Sequence, residues 1–78
     1  STGDVQQVDT LLANILAGPL VSLAQYLAAM VKPEGSLLLS GILQEQADEG
    51  MTAYAQWFTF SNPVTQGDWT RLEGQRKS

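Results

Sequence analysis

From Leu11 to Leu16 every residue except Asn14 is apolar, which predicts a short strand buried on both faces, as parallel strands are. The pattern then changes period. Gly18 breaks the strand and Pro19 suits the first turn of a helix, where its missing N–H would lack a partner anyway. Leu20, Leu23, Ala24, Leu27, Ala28 and Val31 follow at spacings of three and four, the stripe of an amphipathic helix docked on one surface. Lys32-Pro33-Glu34-Gly35 stops that helix and reverses the chain, and Ser36–Ile42 forms a second short apolar run. Strand, helix and strand this close together make a βαβ unit with parallel pairing of the two strands.

The three-four spacing returns at Leu43, Ala47, Met51, Tyr54, Ala55 and Phe58, predicting a second helix from Gln44 to about Gln56. Gly50 inside it marks either close packing or nothing. Beyond Trp57 the pattern becomes Phe58–Ser61, the break Asn62-Pro63, the turn residues Gln66-Gly67 and an alternating Asp68–Glu73, which predicts an antiparallel hairpin. The expected order is therefore β-α-β-α-β-β, an α/β fold with parallel strands and a terminal antiparallel hairpin. Residues 1–8 and 77–78 are expected to be tails, with the folded part over 9–76.

Composition limits what such a chain does. With 78 residues it is one small domain or part of a larger one, and a core of this size is marginal unless something else covers it. The absence of Cys and His removes thiolate chemistry, the commonest metal ligand and the commonest general base, so no metal site is expected. A net charge of −4 opposes nucleic-acid binding through a basic face. Arg71, Arg76 and Lys77 read as part of a solvated tail.

The 22 residues from Thr10 to Val31 carry no charge, yet Asn14, Ser22, Gln25 and Gly18-Pro19 within them argue against a membrane span. With no basic n-region at the N-terminus, the expected location is the cytoplasm.

Few residues suggest chemistry. The glycines at 3, 18, 35, 41, 50, 67 and 74 form no Gly-x-Gly pair, so neither a dinucleotide fingerprint nor a phosphate loop is present. Glu45, Asp48 and Glu49 read as a solvated helix start, and Trp57, Phe58, Phe60 and Trp69 as packing. Asn14 stands apart, because an amide ending an apolar strand has up to four hydrogen-bonding positions to satisfy. In open α/β sheets ligands bind beyond the carboxyl ends of the strands, where both Asn14 and the Ser40-Gly41 step fall. A structural alternative is that the Asn14 amide bonds the turn at Ala17-Gly18.

The segment Asp9-Thr10-Leu11-Leu12-Ala13-Asn14-Ile15-Leu16-Ala17-Gly18-Pro19-Leu20 resembles the D-L-V-x-A-N-I-L-A-x-P-L of the ribosomal protein L11 methyltransferase family, PrmA. Lys32-Pro33-Glu34-Gly35 resembles the K-P-G-G turn before the fifth strand of class I methyltransferases. Leu39-Ser40-Gly41-Ile42-Leu43 is similar to the family's L-S-G-I-L, and Trp69–Gly74 to its closing strand. The resemblance implies the C-terminal half of a class I, Rossmann-like methyltransferase sheet, strands four to seven with two helices. Glu34 departs from the family's glycine and favours type I over type II geometry in that turn.

The resemblance also implies an activity: S-adenosylmethionine-dependent methylation of lysine and N-terminal amines of ribosomal protein L11. By the same resemblance Asn14 is the asparagine that contacts the cofactor and orients the target amine, with the Ile15 backbone and the Leu16 side chain shaping the pocket wall. The family's glycine-rich turn and acidic cofactor residue have no counterpart here, so this chain alone is expected to be inactive. Its first strand is expected to expose an unpaired edge that promotes self-association. Alternatives are a non-catalytic α/β interaction module and half of a methyltransferase with another nitrogen substrate.

Overall fold

The computed structural model describes residues 7–78, so most of the expected N-terminal tail lies outside the described residues. The order is β1 (Val8–Asn14), α1 (Ala24–Met30), β2 (Val31–Leu43), a 3₁₀ turn (Gln44–Gln46), α2 (Ala47–Tyr54), β3 (Phe58–Phe60), β4 (Val64–Gln66) and β5 (Trp69–Arg76). The sheet runs β1-β2-β5-β3, with β4 also paired to β5. β1 and β2 are parallel, as the βαβ reading requires, and β5 is antiparallel to β2, β3 and β4.

The core lies between the sheet and its helices. Leu20, Ala24, Ala28 and Val31 from the first helical stripe are buried with Leu37, Leu39 and Ile42 of β2, Leu72 of β5, and Ala47 and Tyr54 of α2. Regular helix starts only at Ala24, although the Leu23 N–H already donates to the Pro19 carbonyl at 3.1 Å. No side chain caps this end, and an irregular first turn is the result. Gly50 does mark close packing: a Cβ there would run into the Leu20 side chain.

Several expectations need correction. β1 is buried on one face only: Leu12 is 69% exposed, because no described element covers that side. It pairs with β2 along one edge and has no described neighbour on the other. The Lys32–Gly35 turn lies inside the span of β2 as an irregularity, with Val31 opposite Val8 and regular pairing resuming at Ser36 opposite Thr10. Glu34 has φ of 69°, the left-handed value of a type II turn, so replacing glycine did not impose type I geometry. Pairing to β1 on both sides of the turn, Val31 with Val8 and Ser36 with Thr10, fixes its two ends and outweighs the preference of the one residue between them.

The first arm of the hairpin is split at Asn62-Pro63 into β3 and β4, and the turn itself is Gly67-Asp68. Pro63 has no N–H to give to the ladder, which places the break there. Trp69 is 47% exposed rather than packed, because Thr70 and Leu72 take the inward positions of β5. Arg71 and Arg76 belong to β5 and not to a tail, and Lys77 is fixed by its N–H to the Trp57 carbonyl and its Nζ to the Ala55 carbonyl, both at 2.7 Å.

Tyr54 joins the helical layer to the loop after β1: its buried hydroxyl donates to the Leu20 carbonyl at 2.9 Å. Burial pushes its pKa up to about 12 from 10.0. The neutral phenol is the form the fold favours, so its stabilisation is complete below pH 10 and is lost as pH rises through about 12. Tyr54→Phe should therefore lower unfolding stability by about 1–2 kcal/mol at pH 7. Urea titrations of both proteins should show that difference shrinking between pH 10 and pH 12.

Candidate functional site

The carboxyl end of β1 meets a bulge in β2. Leu39 pairs with Leu72 and Ile42 with Thr70, so Ser40 and Gly41 of β2 together oppose Arg71 alone on β5. Gly41 sits in this bulge with φ of 69°. The extra residue resets the alternation, so that Leu37, Leu39 and Ile42 all face the core.

Asn14 stands in register with Ser40 at the end of β1, and its side chain is exposed at this rim. Its carboxamide makes no hydrogen bond to another described residue within the fold, and its Oδ1 lies over Gly41, in the space that a Cβ would fill. The turn that follows is bonded from β2 instead: the Ile15 N–H donates to the Ser40 carbonyl at 2.8 Å, and the Ala17 N–H to the Gly41 carbonyl at 2.7 Å. The structural alternative for Asn14, bonding that turn, is thus taken over by main chain.

Leu16 and Ala17 both occupy the left-handed region, with φ of 54° and 58°. Each costs roughly 1–2 kcal/mol relative to ordinary backbone, and such strain persists only where the surroundings over-determine it. The strained pair presents the Leu16 side chain outward, 68% exposed, while Ile15 turns back against the core. Asn14, Ile15 and Leu16 therefore lie together at one rim, an exposed amide beside an exposed apolar side chain. On the same rim, Ser40 and Gly41 share a shallow hollow with Val64, Gln66, Trp69 and Arg71.

Two features of the rim escape sequence reasoning. The strained pair has no signal, because neither Leu nor Ala favours positive φ. Gln46 is the other: its Oε1 accepts the Leu43 N–H at 2.9 Å and its Nε2 donates to the Gly18 carbonyl at 3.3 Å. A glutamine three residues past the end of an apolar strand is half of a capping box and could have been noticed as one. Glu45, Asp48 and Glu49 are exposed, and no group of three or more metal-ligating side chains occurs among the described residues. Nor is any described helix long and apolar enough to cross a membrane.

Comparison with known proteins gives this arrangement its relatives. The family model for ribosomal protein L11 methyltransferase (PrmA) matches residues 1–77. The ribosomal protein L11 methyltransferase of Shewanella halifaxensis is 56% identical over 69 residues, 88% of this chain and 24% of that protein. That of Cellvibrio japonicus is 58% identical over 66 residues, 85% of this chain and 22% of that protein. The chain thus spans about a quarter of the length of these curated relatives.

Among solved structures, the ribosomal protein L11 methylase of Lactobacillus delbrueckii subsp. bulgaricus superposes with a TM-score of 0.82 at 28% identity, covering 99% of this chain and 41% of that one. The N-methyltransferase NodS of Bradyrhizobium japonicum WM9, in complex with S-adenosyl-L-homocysteine, gives 0.70 at 12% identity over 97% of this chain and 50% of that one, a likeness of fold alone. The sheet is accordingly the C-terminal half of a class I methyltransferase sheet, and the chain belongs to the ribosomal protein L11 methyltransferase (PrmA) family.

Proposed function

We propose that this chain is the C-terminal part of an S-adenosylmethionine-dependent protein N-methyltransferase that modifies lysine and N-terminal amines of ribosomal protein L11 in the cytoplasm. Asn14 would orient the amine and touch the cofactor, and the Ile15 backbone and Leu16 side chain would form the pocket wall. The observation that carries this reading is the exposed Asn14 carboxamide, set over Gly41 at the carboxyl rim of two parallel strands and not hydrogen-bonded to any other described residue. Gly41, lacking a Cβ, lets the Asn14 Oδ1 lie close against the bulge, and the exposed amide fits a small polar group approaching the rim. When bound, S-adenosylmethionine supplies an electrophilic methyl group.

The chain's own residues have a narrower task. Attack on carbon needs an uncharged amine with its lone pair aimed, whereas a free lysine, with a pKa of about 10.4, is mostly protonated at neutral pH. The Asn14 carbonyl accepts an N–H and so orients the amine, and being neutral it does not hold the last proton. Leu16, apolar and outward-facing, helps exclude water from the approaching amine.

The test is transfer of an isotopically labelled methyl group from S-adenosylmethionine to L11 by the complete enzyme. Label on L11 amines is expected, with none transferred by this chain alone. Label that reaches only a different nitrogen substrate, or no label at all, would overturn the proposal. Isolated from the rest of that enzyme, the chain should also self-associate through the free edge of β1, beside exposed Leu12. Light scattering should show the apparent mass rising with concentration, and a clean monomer at high concentration would remove this expectation.

A further inference from the structure

We infer that Gln46 is a positioning residue for methyl transfer, holding the strained turn after Asn14 in place. This rests on the reading of the Asn14 rim given above. The turn is fixed from two sides. From β2, the Ser40 and Gly41 carbonyls take the N–H groups of Ile15 and Ala17. From the segment after β2, the Gln46 amide takes the Gly18 carbonyl and the Tyr54 hydroxyl takes that of Leu20. Leu16 and Ala17, the two residues in unfavourable backbone conformations, lie between these anchors.

Gln46 has the only chemistry that fits its two partners among the residues of its size. One planar amide accepts the Leu43 N–H at 2.9 Å through Oε1 and donates to the Gly18 carbonyl at 3.3 Å through Nε2. A carboxylate would keep the first bond and set its second oxygen against the Gly18 carbonyl. A thioether of the same length would lose both bonds. The residue is half-buried, so water replaces neither contact fully. Leu43 ends β2, and Gly18 follows Asn14 by four residues, so Gln46 ties the end of one parallel strand to the turn that leaves the other. Released at Gly18, the turn can relax out of its left-handed pair, and the neighbouring Asn14 loses its fixed relation to Gly41.

The experiment compares Gln46→Glu and Gln46→Met in the complete enzyme, alone and combined with Asn14→Ala. Each single Gln46 variant should lower kcat by about tenfold to a hundredfold, the cost of a small misplacement at a reacting centre, with KM for L11 within about twofold. Combined with Asn14→Ala, each should lower kcat by much less than its single-variant factor, since Gln46 acts mainly through Asn14. Unchanged kcat in a folded single variant of either kind, or losses that multiply in the double variants, would overturn the inference while leaving the rim reading intact. An Asn14→Ala enzyme with undiminished turnover would instead overturn the rim reading and the inference with it. Circular dichroism of each variant checks the fold, and because the two substitutions fail for different reasons, either folded variant decides the outcome.

Discussion

Gly41→Ala should lower methyl transfer by the complete enzyme about a hundredfold and destabilise the fold by about 2–4 kcal/mol. Two independent costs meet at this position. With φ of 69°, Gly41 adopts a backbone conformation that an L side chain enters only at roughly 1–2 kcal/mol. An added Cβ would also collide with Asn14 Oδ1 and lie 2.6 Å from the Leu16 N and 3.2 Å from its Cα. Relieving that overlap moves the proposed amine-orienting side chain and the strained turn together. It also disturbs the bulge that keeps Ile42 in the core.

Gly67 provides the control. Its φ is 62°, yet nothing lies within 4 Å of where its Cβ would stand. Gly67→Ala should cost only the backbone strain, roughly 1–2 kcal/mol, and leave turnover unchanged. Single-turnover rates and urea midpoints for the two variants separate the shared cost from the local one. Equal turnover in both would show that the crowding at Gly41 has no bearing on the reaction.

What the sequence disclosed and what it withheld divide along physical lines. The stripe from Leu20 to Val31 is legible because partitioning from water acts on each residue, and four of its members, Leu20, Ala24, Ala28 and Val31, are buried. Parallel pairing is legible from the short helical crossover between two apolar runs. The left-handed pair Leu16-Ala17 is not, since the turn that holds it is bonded by groups more than twenty residues away in sequence, the Ser40 and Gly41 carbonyls on one side and the Gln46 amide on the other. Glu34 is a similar case: one residue's preference is too weak to decide a turn whose two ends are both paired to β1. Asn14 draws attention because a polar group in an apolar run demands an explanation, whereas Gln46 lies in a polar helix start, where its tie to Gly18 leaves no trace.

Asn14→Asp should lower kcat at neutral pH by about tenfold to a thousandfold and move the pH–rate profile to higher pH, with little effect on folding. The fold is spared because the side chain is exposed and no described residue depends on its hydrogen bonds, so a stability change within about 0.5 kcal/mol is expected. The chemistry is not spared. A carboxylate within a few ångströms of an amine favours the ammonium and moves its titration up by about 1–3 pH units. Below its pKa, the uncharged fraction of an amine falls tenfold for each such unit, and only that fraction has a lone pair to give. Raising the pH should restore part of the lost rate. Asn14→Ala separates orientation from charge: it should slow transfer without displacing the profile, because it removes the acceptor and adds no charge. A profile that stays in place in the aspartate variant, with normal turnover, would take Asn14 out of contact with the reacting amine and leave its exposed carboxamide without a role.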